Sequence, residues 1–134
     1  MSFKIESKQR LVSKKPDHIY NFLSNFHHFK GLLPDDKIKN WTCTETSCSF
    51  TYSGLTEMSI LIKKTDEPGI IHYHSVPDAK FPFDLFVHIQ PNGEVSSCKA
   101  VLDVHMSQAL KIFAQKPLEN FANSIIDKLE ETDF

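Results

Sequence analysis

A chain of 134 residues, 40% hydrophobic and 24% charged, is long enough to bury one core without disulfides or metals, which excludes a disordered polypeptide. Its net charge of −2 excludes a general attraction to nucleic acid, and no run approaches the roughly eighteen apolar residues of a stable membrane insertion. Three cysteines, Cys43, Cys48 and Cys98, are odd in number and lack C-x-x-C spacing, which argues against a disulfide framework or a zinc site. With no apolar stretch in MSFKIESKQRLV, a reduced cytoplasm is the expected compartment.

Along the chain, Phe3, Ile5 and Leu11 sit at odd positions between Lys4, Glu6, Lys8 and Arg10, the period of a half-buried strand over 3–12. Ser7 and Gln9 share that odd face and call for polar partners or water inside. Pro16 suits the first turn of a helix and Asp17 its positive end. Ile19, Phe22, Leu23 and Phe26 follow at helical spacing, and His27–Leu33 reads as a second short helix stopped by Gly31 and Pro34. Residues 38–44 and 47–53 are β-rich pieces joined near Glu45–Ser47. In 56–64, Met58, Ile60 and Ile62 alternate with Ser59, Leu61 and Lys63, and Asp66–Gly69 is a turn. The segment 70–75 is a short strand, followed by an irregular loop between Pro77 and Pro82. Phe83, Leu85, Val87 and Ile89 form one face of the next strand, with Asp84, Phe86, His88 and Gln90 opposite. Pro91-Asn92-Gly93 marks a hairpin, and 94–106 returns with Cys98, Ala100, Leu102, Val104 and Met106 on one face.

The last quarter carries the strongest pattern. Leu110, Phe113, Ala114, Leu118, Phe121, Ala122, Ile125, Ile126 and Leu129 recur at i, i+3, i+4, the spacing of a helix burying one face. Pro117 lacks an N–H and clashes with the carbonyl of Phe113, so a break is expected there, with a short helix near 107–115 and a long one from 117 to 131. Eleven Phe against four Gly supply large rings that either fill the core or line an apolar cavity. Repeats, linkers and low-complexity tracts are absent, so residues 1–134 read as a single domain.

The opening FKIESKQRLV, the proline-started helix pair KKPDHIYNFLSNFHHFKGLLP and the closing PLENFANSIIDKLEE together resemble the START-like, or SRPBCC, superfamily. The likeness covers nearly the whole chain and rests on hydrophobic pattern. It implies an α+β helix-grip fold, in which a curved antiparallel sheet of six to seven strands wraps around a long C-terminal helix and two short helices come after the first strand. It also implies a cavity between sheet and helix that holds a small hydrophobic or amphipathic ligand of lipid, polyketide or isoprenoid type. Carried over by position, the lining is Phe113, Leu118, Phe121 and Ile125 from the helix and Phe50, Met58, Ile60, Phe83, Leu85 and Val87 from the sheet, with the Pro117 break and the Pro77–Pro82 loop as candidate gates.

Polar candidates are few. His72 and His74 share one strand face and become ligand contacts if that face points inward; two such ligands without a third do not make a metal site, and no cofactor motif is present. His27 and His28 read as a solvent-facing junction between helices. Asp103 and His105 share a face, but parity puts them on the outside of the sheet, and Asp84 with them. Trp41 and Tyr52 on paired strands suit either ligand contact or plain cross-strand packing, and packing is favoured. The leading expectation is a non-enzymatic carrier. The alternatives are a cyclase- or hydratase-like enzyme using Ser7, Gln9, His72 and His74, and a co-chaperone-like interaction module presenting Phe86, Leu61 and Tyr73. A homodimer through an edge or outer face stays open.

Overall fold

The computed structural model describes residues 2–55, 57–63, 69–77 and 82–134. The first strand is divided into β1 (Ser2–Glu6) and β2 (Arg10–Val12), followed by α1 (Pro16–Leu23), α2 (Phe26–Phe29) and two 3-10 turns, Lys30–Leu32 and Asp35–Lys37. Then come β3 (Ile38–Cys43), β4 (Ser47–Tyr52), β5 (Glu57–Lys63), β6 (Ile70–Ser75), β7 (Phe83–Asn92), β8 (Val95–His105) and α3 (Gln108–Glu131). All pairings are antiparallel, in the spatial order β1-β8-β7-β6-β5-β4-β3, with β2 also on β8. The expected fold class is present, an α+β sheet of seven positions against one long helix.

The division of the first strand has a local cause. Ile5 pairs with Leu102 and Arg10 with Cys98, so one extra residue lies between them, a bulge that flips the parity of the rest of the strand. Ser7 sits at the bulge, buried, its hydroxyl accepting from the Ala100 N–H at 2.8 Å and donating to the Lys8 carbonyl. Val12 therefore points inward, and Leu11, expected inside, is 56% exposed. Gln9 is also exposed and donates to the Ser97 hydroxyl.

Elsewhere the alternation is regular. Phe83, Leu85, Val87 and Ile89 meet Cys98, Ala100, Leu102 and Val104 in one core. The β7–β8 turn places Gly93, with φ 67°, between Asn92 and Val95. The turn expected at Asp66–Gly69 and the loop between Pro77 and Pro82 fall largely outside the described residues, as does Phe81.

The helix departs from expectation in two ways. It runs unbroken from Gln108 to Glu131 with Pro117 inside it. A proline removes one bond of the ladder; the rest hold, and the ring has room because the residue facing it is Gly54. A Cβ on Gly54 would lie 2.8 Å from the Pro117 Cγ, and its φ of +85° favours glycine in any case. The second departure is phase. Ala114, Leu118, Phe121, Ala122, Ile125, Ile126 and Leu129 are the buried set. At ~100° per residue, Phe113 falls on the far side of that set and is 77% exposed, with Leu110 also outside.

Candidate functional site

The helix is held very differently along its two sides. Towards β1 and β2 it is tied by hydrogen bonds. The Asn123 Oδ1 accepts from the Lys8 N–H, Arg10 pairs with Asp127 at 2.9 Å, and the Lys14 Nζ donates to the Leu129 carbonyl. The Glu130 carboxylate takes both the N–H and the hydroxyl of Ser13. Close backbone packing is likewise with β8, β1, β2 and the first 3-10 turn. Towards β4 the contact is made by rings. Phe121 stacks on Phe50 at 6.2 Å and meets Tyr52 edge-on at 5.5 Å, and Trp41 stacks on Phe50 from β3. Long side chains thus fill a wedge that opens from the hydrogen-bonded edge of the helix towards β3–β5.

The inward candidates assemble there. Phe50, Met58, Ile60, Phe83, Leu85, Val87, Leu118, Phe121 and Ile125 belong to one contiguous core, each 3% exposed or less. Side chains with so little surface accessible to water meet one another, so a ligand among them has to displace a ring. Phe113 is a correction: the helical phase turns it to solvent. His72 and His74 are the other correction. In β6 the core side belongs to Ile71, Tyr73 and Ser75, so strand alternation places both histidines on the outer face. There the His72 Nε2 lies 2.7 Å from the Asp84 Oδ1, and its ring stacks on Phe86 at 4.3 Å. Tyr73 likewise is not part of an outer patch; its hydroxyl donates to the Leu23 carbonyl at 2.6 Å. Among the described residues no group of three or more His, Cys, Asp or Glu could hold a metal ion. Asp103 and His105 lie on the outside, as parity predicted, and His28 bonds the Phe22 carbonyl at the helix junction.

Two of the concavities formed by the described residues stand out. A shallow one of about 270 Å³ lies on the outer face, where Lys99 and Glu6 form an ion pair of 2.6 Å beside His88 and Gln90. The other, about 410 Å³, lies between the C-terminal half of α3 and the end of β4, lined by Pro34, Lys37, Tyr52, Asn120, Asn123, Ser124, Asp127, Lys128 and Glu131. Tyr52 is one of the lining residues; its side chain is buried, and among the described residues its hydroxyl has no hydrogen-bond partner. Burial, and secondarily the Asp36 carboxylate, push this phenol up, so at neutral pH it is a neutral group with a proton to donate. The other buried polar side chains among the described residues are satisfied. Ser7 bonds the main chain as above, Ser75 accepts from the Phe83 N–H, and Ser96 donates to the Lys14 carbonyl. Sequence reasoning weighed Tyr52 as a ligand contact and favoured packing, because a missing partner is not visible until the strands and helix are assembled.

No protein-family model and no curated sequence matches the chain. Solved structures do. A protein from Thermus thermophilus superposes with a TM-score of 0.73 at 15% identity, covering 96% of this chain and 95% of that one. A START superfamily protein from Mycobacterium smegmatis gives 0.68 at 16%, covering 96% and 97%. The chain has the START-like helix-grip fold. Norcoclaurine synthase from Thalictrum flavum, solved with a transition-state analogue, shares this fold at a TM-score of 0.73 and 14% identity, covering 98% of this chain and 93% of that one. At these identities the likeness is one of architecture, and chemistry has to be argued from the site. No helix among the described residues is long and apolar enough to cross a membrane.

Proposed function

We propose that this START-like chain binds a small amphipathic molecule in the wedge between α3 and β3–β5. Its polar end meets Tyr52 and the crevice beside it, and its apolar body replaces the contact of Phe121 with Phe50. The observation that carries this reading is the buried hydroxyl of Tyr52, a residue lining the 410 Å³ crevice, which has no partner among the described residues. A buried donor without an acceptor costs about 1–3 kcal/mol, and an incoming oxygen or carbonyl would supply the missing bond. The asymmetric seating of α3 gives the apolar end somewhere to go, since rings bridging a wedge can rotate while the hydrogen-bonded side of the helix stays in place. The satisfied serines along the core favour holding a molecule over transforming one.

The test uses 1-anilinonaphthalene-8-sulfonate, an amphipathic probe, and the fluorescence of Trp41, the one tryptophan, which stacks on Phe50 at the wedge. Saturable binding with quenching of Trp41 is expected. Tyr52→Phe should weaken it about fivefold, the equivalent of one neutral hydrogen bond of ~1 kcal/mol. A probe that binds equally well to Tyr52→Phe, or leaves Trp41 unchanged, would overturn the reading.

A further inference from the structure

The β3–β4 hairpin closes with the Thr44 N–H donating to the Ser47 carbonyl at 2.8 Å. The next pair along the ladder is Cys43 and Cys48, directly opposite one another. A pair flanked by such a bond is a non-hydrogen-bonded pair, in which Cα atoms approach to about 4.5 Å and side chains are closest. That separation falls within the ~4.4–6.8 Å that a disulfide spans. Both thiols are free, and their surroundings differ. Cys48 is buried, and burial, then the neighbouring Cys43, push its thiol up. Cys43 is half-buried at the sheet edge, with its Sγ 3.5 Å from the Nδ1 of His27. That histidine is fixed by its own helix start: its N–H donates to the Asn25 Oδ1, and the Phe26 N–H donates to the Glu45 carbonyl in the hairpin turn. A nucleophile, a base within reach and a second thiol across the ladder are thus brought together.

We infer that Cys43 and Cys48 are a peroxide-sensitive dithiol that closes to a cross-strand disulfide, with His27 accepting the Cys43 proton. The Cys43 sulfur attacks hydrogen peroxide, the O–O bond breaks, and the departing hydroxide takes the proton from His27 and leaves as water. The Cys43 sulfenic acid is then attacked by the Cys48 sulfur. The S–S bond forms, the S–O bond breaks, and the Cys48 proton leaves with the hydroxide as a second water. Two thiols are oxidised by two electrons and one peroxide is reduced to two waters.

The experiment treats the reduced, folded protein with graded hydrogen peroxide, blocks remaining thiols with iodoacetamide and maps the tryptic peptides. Residues 40–63 lie between cleavable lysines and hold both thiols. This peptide should lose the mass of two hydrogens and resist alkylation until dithiothreitol is added, while Cys98, fully buried with its thiol pushed up to about 12, stays reduced. Cys48→Ser should leave Cys43 trapped as a sulfenic acid that reacts with dimedone. His27→Ala, on an exposed side chain, should slow disulfide formation several-fold and change its pH dependence with an unchanged melting curve. The inference is overturned if the folded wild-type protein keeps both thiols free under peroxide that oxidises the unfolded chain, or if the linkage forms only between molecules or through Cys98.

Discussion

Tyr52 and Tyr73 are among the largest fully buried side chains, yet their hydroxyls stand in opposite situations. The Tyr73 hydroxyl satisfies the Leu23 carbonyl at the end of α1, tying the helices to the middle of the sheet. The Tyr52 hydroxyl has no partner among the described residues. Removing each oxygen should therefore have opposite effects. Tyr73→Phe strands a buried carbonyl and should lower stability by about 1–3 kcal/mol, whereas Tyr52→Phe removes an unmet donor and should raise it by about 1 kcal/mol. Urea unfolding of both variants checks this, and two changes of the same sign would show that the Tyr52 oxygen is bonded after all. A group that costs stability in the free protein while strengthening capture of a ligand is the pattern expected of a binding site.

At the scale of elements, the contact between Gly54 and Pro117 decides how α3 passes the end of β4. Gly54→Ala meets both a positive φ and the proline ring, and should destabilise by more than ~1 kcal/mol. Pro117→Ala restores a helical N–H and relieves part of that clash, so the double variant should recover more stability than the two single changes predict. Additive melting shifts would mean that the two residues do not press on each other. The expected helix break failed because sequence shows the proline but not the glycine that makes room for it. The same holds for the bulge at Ser7, where one extra residue turned Leu11 outward. No spacing rule marks that position; the Ser7 hydroxyl bonding the Ala100 N–H does.

In the whole molecule, the sheet grips α3 firmly along β1 and β2 and loosely along β3–β5. Part of the firm side depends on charge. The Ser13 N–H, then its hydroxyl, hold the Glu130 carboxyl below its ordinary 4.5. A group whose pKa is lowered by folding adds stability above its unfolded value, and that stability is lost as pH falls through the lowered folded value. The helix clamp should weaken only below about pH 4.5, with no change towards neutral pH. Glu130→Gln should flatten the fall in melting temperature across that acid range, and an identical pH profile for the variant would remove Glu130 from the clamp. Glu130 is near the surface, so the effect is expected to be modest.

Sequence by itself determined the order of elements, the inward faces of β7 and β8 and the buried stripe from Leu118 to Leu129. These rest on local periodicity, and period is carried by the chain whatever it packs against. The outer placement of Asp103 and His105 came from the same parity. Only the tertiary structure decided which face of β6 is inside, since Ile71 and Tyr73 alternate with two histidines that could serve on either side. The outward turn of Phe113 follows from helical phase once α3 runs unbroken through Pro117. The tertiary structure also decided that Tyr52 has no partner among the described residues and that Cys43 lies opposite Cys48 beside His27. Each of these is a relation between residues far apart in the chain or set by strand register. Such relations are fixed by packing and by where hydrogen bonds find their partners, neither of which is encoded in local spacing.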